Sequence, residues 1–541
     1  MRADTILTGG RVHPVAPGAA DAEALAVVGG RIVAVGTARE IAELAGPATA
    51  IVDVAGGLVL PGFQDAHAHP LHGGLASLRC DLYGTSSADE HLDAVRRYAV
   101  EHREREWIVG GGWSMDDFGG AMPSRALLDE AVPGRPVVLE TRDGHTSWLS
   151  SRALELAGIG PSTPDPPGGV IDREPDGTPS GTLQELAMRL VDRVLPATSP
   201  AEWDEALVRM QTALHRLGIT ACQEAAADEE LVAAYLRAAR AGRLTLRMEG
   251  NLAWSPGRGL EQLADLVVLR EAAQATRVRM RGAKLFQDGV VENGTAAMLD
   301  PYRRGVGAGP DRRGLSLYPP DELDAIVTAL DAEEFQVHVH TIGDRAVREA
   351  LDAIEAARRV NGRRDARHHL AHVQFADPID VARFAELDVV ANVTPLWAVS
   401  SGYVEELTLP FVSERAAAGM YPFGALHEAG ARLAFGSDWP VSTPDPLVQL
   451  EVAVTRCPPD APDAEPLLPS ERLDLRTAIR AATAGAAFVN GLDAETGTLE
   501  PGGLADLVVL DLDLLAPGAA APTAASVVLT LVEGEIVHDA R

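Results

Sequence analysis

The sequence predicts a parallel (β/α)8 barrel with a small β-sandwich built from both chain ends and a domain inserted between barrel strands one and two. Three observations carry this. Eight short apolar segments recur through the middle of the chain, several separated by helical patterns. The first 60 residues and the last 40 share a different texture, β-branched runs broken by Gly-Gly or Glu-Gly turns. The stretch from about 76 to 212 is far longer than one β/α connection and carries Pro/Gly-rich pieces such as GIGPSTPDPPGG.

In chain order, TILTGGRVHPV, ALAVVGGRIVAVG and AIVDVAGGLVLPG read as strands of the sandwich, assigned to residues 1–58. GLVLPGFQDAHAH is the first barrel strand. RLGITACQEA, RLTLRMEGN, RVRMRGAKLFQDG, EFQVHVHTIGD, RHHLAHVQF, DVVANVTP and RLAFGSDWP are strands two to eight of a barrel spanning 59–485. DELDAIVTALDAEE and DRAVREALDAIEAARRV have the three- and four-residue apolar spacing of helices lying on such a barrel. LADLVVLDLDLL and ASVVLTLVEGEIVHDAR return to the sandwich over 486–541.

Composition narrows the function. The formal net charge is −31, which argues against nucleic acid or an anionic membrane as partner. Three scattered cysteines, Cys80, Cys222 and Cys457, form neither a disulfide framework nor a paired-cysteine metal motif. No apolar run of membrane-spanning length and no signal-like N-terminus is evident, so a cytoplasmic, soluble protein is expected. One total stands apart: of 47 lysines and arginines, one is lysine, Lys284. A buried lysine can lose its proton and react, whereas arginine keeps its charge.

Barrel enzymes carry their chemistry at the C-terminal ends of the strands. The residues falling there are His67 and His69, Lys284, His340, His372 and Asp438. His67 and His69 are two apart and face one side of a strand. Imidazole and carboxylate suit zinc, with manganese, cobalt or iron also compatible. Four histidines hold two adjacent dications poorly unless an anion bridges them. A CO2-derived carbamate on Lys284 is such an anion, and burial favours the neutral amine that forms it. Two divalent ions, a bridging hydroxide as nucleophile and Asp438 as the proton-handling group follow as expectations. The plainer alternative is that Lys284 pairs with a carboxylate, with Asp288 nearby in sequence. Trp113, His145 and Trp397 are candidate substrate contacts. His338 is expected to support the ligands, and His368 to be structural.

The segments LPGFQDAHAH, GAKLFQDG, HVHTIGDRAV, LAHVQF, FGSDWPV and LEPGGLADLVVLD resemble the amidohydrolase superfamily, in its family-3 branch of N-substituted formamide deformylase-like proteins. DGHTSWLSSRALELAGI and PPGGVIDREPDGTPSGTLQE extend the resemblance into the insertion. It implies the same barrel architecture, Lys284 as the carboxylated lysine and Asp438 as the proton-handling aspartate. It further implies hydrolysis of a non-peptide carbon–nitrogen bond in a small amide. A cyclic amidase or deaminase of the same architecture is the alternative, and a non-catalytic scaffold a more distant one. The class alone suggests a homodimer.

Overall fold

The computed structural model describes residues 2–304, 309 and 311–541. All eight expected barrel strands form: Phe63–Ala68, Ile219–Ala227, Arg247–Ala253, Val278–Phe286, Gln336–Thr341, His369–His372, Val390–Val393 and Leu433–Phe435. Each is hydrogen-bonded in parallel to the next in sequence. The seam between the eighth strand and the first is closed by loop and side-chain bonds. Asp438 N–H donates to His67 O (2.8 Å) and His69 N–H to Trp439 O (2.7 Å). From the seventh strand, the Asn392 amide also reaches across to Ala66 O at 2.7 Å.

Alternation fixes which side chains enter the barrel. In strand five, Val337 and Val339 belong to the apolar core, while His338 and His340 take the opposite face. The helix after it, Asp344–Asn361, buries Ala346, Val347, Ala350, Leu351, Ala353, Ile354 and Ala357. That stripe has the spacing of a helix covering a sheet. Arg358 and Arg359 sit in its last turn, where the helix dipole favours cations, and Gly362 at φ 85° follows its end. The preceding helix, Pro320–Ala332, starts with a proline whose missing N–H costs nothing there and buries Leu323, Ile326, Val327 and Leu330.

The chain ends build one sheet rather than two separate ones. Its strand order runs Glu535–Asp539, Val527–Val532, Leu507–Leu510, Leu58–Pro61, Thr5–Val12, Ala22–Val28, Arg31–Gly36, with Ala50–Asp53 also beside Thr5–Val12. The sheet curls so that its two ends meet. Ile32 N–H donates to Gly503 O (2.9 Å), and Ala505 N–H to Gly30 O (2.8 Å). Leu25, Val27 and Ile32 from one end share an apolar core with Leu507, Leu529 and Leu531 from the other. Leu58–Pro61 therefore belongs to this sheet and not to the barrel. The helix Ala486–Asn490 packs Ala486 and Val489 on Ala66, Val390 and Ala434 under the barrel, so the second sandwich segment starts later than residue 486.

The insertion contains a six-stranded mixed sheet running from Cys80–Asp81 to Pro179–Glu185. Trp113, Trp148 and Leu139 lie in one of its apolar clusters, Leu149, Ile171 and Leu183 in another. It ends before residue 212. The helix Pro200–Arg216 opens with a Ser199/Glu202 capping box and buries Trp203, Leu207, Met210 and Leu214 in the barrel core. Its apolar stripe is committed to the barrel, not to the inserted sheet.

Barrel and terminal sheet are joined by buried charge. Arg247 Nε lies 2.8 Å from Asp506, whose side chain is 1% exposed, and Arg247 Nη2 lies 2.7 Å from Glu533. Asp506 also accepts the Glu533 N–H at 2.7 Å. Removing one partner strands the other in a low-dielectric setting. Asp506→Ala is expected to lose about 3 kcal/mol in urea unfolding. A midpoint unchanged from the parent would show that the pair does not hold the two parts together.

Candidate active site

The sequence-predicted ligands converge at the C-terminal mouth of the barrel. His67 is near the end of strand one, and His69 follows its last residue and precedes the helix Pro70–Ala76. His340 is near the end of strand five and His372 ends strand six. His372 and Asp438 both have left-handed backbones, at φ 72° and 57°. Such conformations are disfavoured for non-glycine residues and are held by their surroundings. Asp65 supplies part of that hold: its Oδ1 accepts the N–H of His67 (3.0 Å) and of Ser437 (3.1 Å), tying strand one to the loop carrying Asp438.

The tightest group is His67, His69 and Asp438, whose ligand atoms all lie within 4.8 Å of one another. Asp438 Oδ1 is 3.2 Å from His67 Nε2 and 3.4 Å from His69 Nε2. Its Oδ2 is 4.0 Å from His372 Nε2. His372 and His340 have ring centroids 4.8 Å apart, so all four histidines line one small volume. Burial alone would raise the Asp438 pKa, but the neighbouring His67 and His69 hold it well below the usual carboxylate value. His67 and His69 share that carboxylate in different surroundings. Burial and Lys284 push His67 down to about 3. His69, also lowered by burial, is carried up to about 9 by its bonds to Asp438 and Glu224.

Lys284 is 1% exposed. Its Nζ is 3.4 Å from His338 Nε2 and 4.9 Å from the centre of the Phe286 ring. Among the described residues no carboxylate oxygen lies within 4.0 Å of it, and burial lowers its pKa to about 7. The pairing with Asp288 does not occur. Asp288 instead accepts backbone N–H groups of Ala297 (2.9 Å), Ile342 (3.0 Å) and Gly343 (2.8 Å), bracing the loops after strands four and five.

Several supporting residues escaped the sequence reading. Glu224, fully buried at the end of strand two, places Oε1 3.4 Å from His69 Nδ1 and accepts the Tyr235 hydroxyl at 2.9 Å. Its signal was a lone acid in an apolar strand, ITACQEA. Asp65 shares the period-two face of His67 and His69 and was readable from D-A-H-A-H. His338 does support the ligands: its Nε2 is 2.9 Å from His67 Nδ1, and the Asn251 amide is 2.9 Å from its Nδ1. His368 is structural, accepting Val337 N–H at 2.9 Å and facing Asp331 at 3.1 Å.

A cavity of about 750 Å³ adjoins the cluster, walled by Trp113, Trp397, Tyr403, Val404 and Trp439 and bordered by Arg142. Trp397 stacks on His372, with centroids 4.9 Å apart and planes at 11°. Trp113 contributes wall only, since it is fully buried and its indole N–H donates to Leu139 O at 2.8 Å. His145 reaches the cluster from the insertion, with its ring 5.4 Å from that of His340.

Comparison with known proteins identifies the family. The Amidohydrolase family profile matches residues 50–538. Protein LONG AFTER FAR-RED 3 of Arabidopsis thaliana is 33% identical, over 94% of this chain and 87% of that protein. N-substituted formamide deformylase of Arthrobacter pascens is 28% identical, over 91% of this chain and 90% of that protein. Among solved structures, an uncharacterized metal-dependent hydrolase from Pyrococcus furiosus superposes with a TM-score of 0.71 at 26% identity, covering 95% of this chain and 100% of that one. This chain therefore belongs to the amidohydrolase family and is a hydrolase of carbon–nitrogen bonds.

Proposed function

We propose that the protein hydrolyses the carbon–nitrogen bond of a small non-peptide amide, with N-substituted formamides as the leading class. The observation that carries this is the His67–His69–Asp438 group, buried at His67 and Asp438 and half-buried at His69, beside a lysine with no carboxylate partner and next to an aromatic-walled cavity. The donor set fits divalent metal: imidazole nitrogens and a carboxylate, mostly buried, with His69 reaching the open side. His67, His69 and Asp438 would hold one ion, and His340 and His372 a second, zinc being the default. Lys284, as a carbamate formed from its neutral amine and CO2 with release of a proton, would be shared by both. The ions, when bound, supply Lewis acidity that activates water and polarises a carbonyl.

The remaining work falls to the chain's own groups. Asp438 accepts a proton from the attacking water and returns it to the leaving nitrogen. Glu224 orients His69, and His338 with Asn251 orients His67, so ligand rings enter the reaction already aimed. The apolar walls exclude bulk water and receive the substituent on the amide. Incubating zinc-loaded protein with N-substituted formamides, acylated amino acids and cyclic imides tests the reading. Release of amine and formate is the expected result. Ammonia or a ring-opened acid as the sole product would replace it with a deaminase or cyclic amidase.

Two predictions follow from the ligand assignment. His67→Ala and His340→Ala should each lower zinc content, read by elemental analysis, together with turnover, because the two ions share a bridge. Normal occupancy and rate in both variants would defeat the assignment. Lys284→Arg should be inactive and beyond rescue, since a guanidinium cannot be carboxylated. It would also face each dication at a cost of several kcal/mol, taking about 4 Å and an effective dielectric near 20. Lys284→Ala should be inactive but partly restored by acetate or propionate. An active Lys284→Arg enzyme with two ions would end the carbamate account.

A further inference from the structure

The cavity beside the ligand cluster holds one cationic side chain. Among its described lining residues Arg142 is the only arginine or lysine, and it is half-buried. Its guanidinium pairs with no carboxylate among the described residues. Nη2 donates to Tyr83 O and Gly112 O, each at 3.5 Å, beyond the usual length of such bonds. Nη1 has no partner among the described residues and is not sealed from solvent, while Nε is buried and unpaired. An arginine cannot shed its charge by losing a proton. A guanidinium on a cavity wall with most of its donors unused calls for an acceptor.

The fold builds this position. Arg142 follows the inserted strand Val137–Thr141, and its backbone N–H donates to Trp113 O at 2.7 Å. The carbonyls of Tyr83 and Gly112 reach one nitrogen because position 112 has no side chain. Its backbone is left-handed at φ 109°, and a Cβ there would lie 2.6 Å from the Tyr83 nitrogen. The acids on the same cavity have other roles. Asp143 accepts the His145 N–H (2.9 Å) and the Thr141 hydroxyl (2.5 Å). Asp81 accepts the Tyr83 N–H at 2.9 Å. Glu292 accepts the Thr408 hydroxyl, and burial pushes it up to about 7. Asp81 and Asp116 are exposed, where water and salt screen them.

We propose that Arg142 is a specificity-determining residue that anchors a carboxylate on the amine portion of the substrate, so that the preferred formamides are those of amino acids. The proposal rests on the hydrolytic reading above and narrows its substrate class. One guanidinium balances one negative charge, and the surrounding acids disfavour a second, so a carboxylate suits the site better than a phosphate dianion. Arg142 and Trp397, which stacks on the ligand His372, wall the same cavity. Water adds across the formyl carbon–nitrogen bond, formate leaves, and the nitrogen takes a proton to give the free amino acid. The inserted domain then sets which amide is accepted. An anchor remote from the reacting carbon acts alike on substrate and transition state, so its effect falls on KM.

The test uses full-length, zinc-loaded protein and matched probes. Racemic N-formylphenylalanine and its neutral carboxamide are compared for kcat and KM. Their uncleavable methanesulfonyl counterparts, together with one bearing an aminomethyl group in place of the carboxylate, are titrated calorimetrically. Any bond from the sulfonamide to zinc is common to all three and cancels in the ratios. The parent should favour the carboxylate at least about 10-fold, in KM and in affinity. Arg142→Gln should bring both ratios to within about 2-fold of unity. Arg142→Lys, which keeps the charge but not the planar fork, should retain a smaller preference than the parent, and it gives the comparison if the glutamine variant does not fold. No preference in the parent, a preference that survives in Arg142→Gln, or an equal loss on both formamides overturns the proposal. So does tightest binding of the aminomethyl probe, which would hand recognition to the acids. If the parent hydrolyses neither formamide, the deformylating reading falls, while the sulfonamide ratios still decide whether Arg142 anchors a carboxylate.

Discussion

The site depends on barrel closure. His67 and His69 stand on the first strand and Asp438 follows the eighth, some 370 residues later, so they meet only where the sheet returns on itself. The closure is made by the same residues: Asp438 N–H binds His67 O, His69 N–H binds Trp439 O, and Asp65 bridges the N–H groups of His67 and Ser437. Ligand geometry and barrel seam are thus one structure. A distortion at the seam is felt directly at Asp438, whose left-handed backbone is held within it.

Electrostatics then sets what the closed site tolerates. Three histidines, His67, His69 and His372, crowd against Asp438, with Glu224 backing His69. Burial disfavours charge on the imidazoles of His67, His340 and His372 and on Lys284, all of whose pKa values are lowered. Neutral imidazoles are metal ligands, and a neutral amine is what can attack CO2. The surroundings that make these groups poor cations make them suitable for the proposed chemistry. Asp288, the one acid near Lys284 in sequence, is spent on backbone N–H groups and leaves the lysine uncompensated.

Much of this was legible from the sequence because period-two strands ending in polar residues advertise themselves. H-A-H after LPGFQDA, the lone lysine in GAKLF and the aspartate in FGSDW each sit where an apolar run stops. What escaped depends on contacts between strands far apart in the chain. Nothing near Asn251 announces that its amide meets His338, and Glu185 meets His145 only where the chain folds back. Domain borders slipped for a similar reason. Leu58–Pro61 and the helix Pro200–Arg216 have apolar patterns that suit either neighbour, and only packing assigns one to the terminal sheet and the other to the barrel.

The most direct measurement is anomalous diffraction from crystals of the zinc-loaded protein grown in bicarbonate. The account predicts a zinc peak within bonding distance of His67, His69 and Asp438, a second beside His340 and His372, and density for a carboxylate on Lys284 Nζ. Zinc bound elsewhere, or a fully zinc-loaded site with Lys284 unmodified, would contradict it.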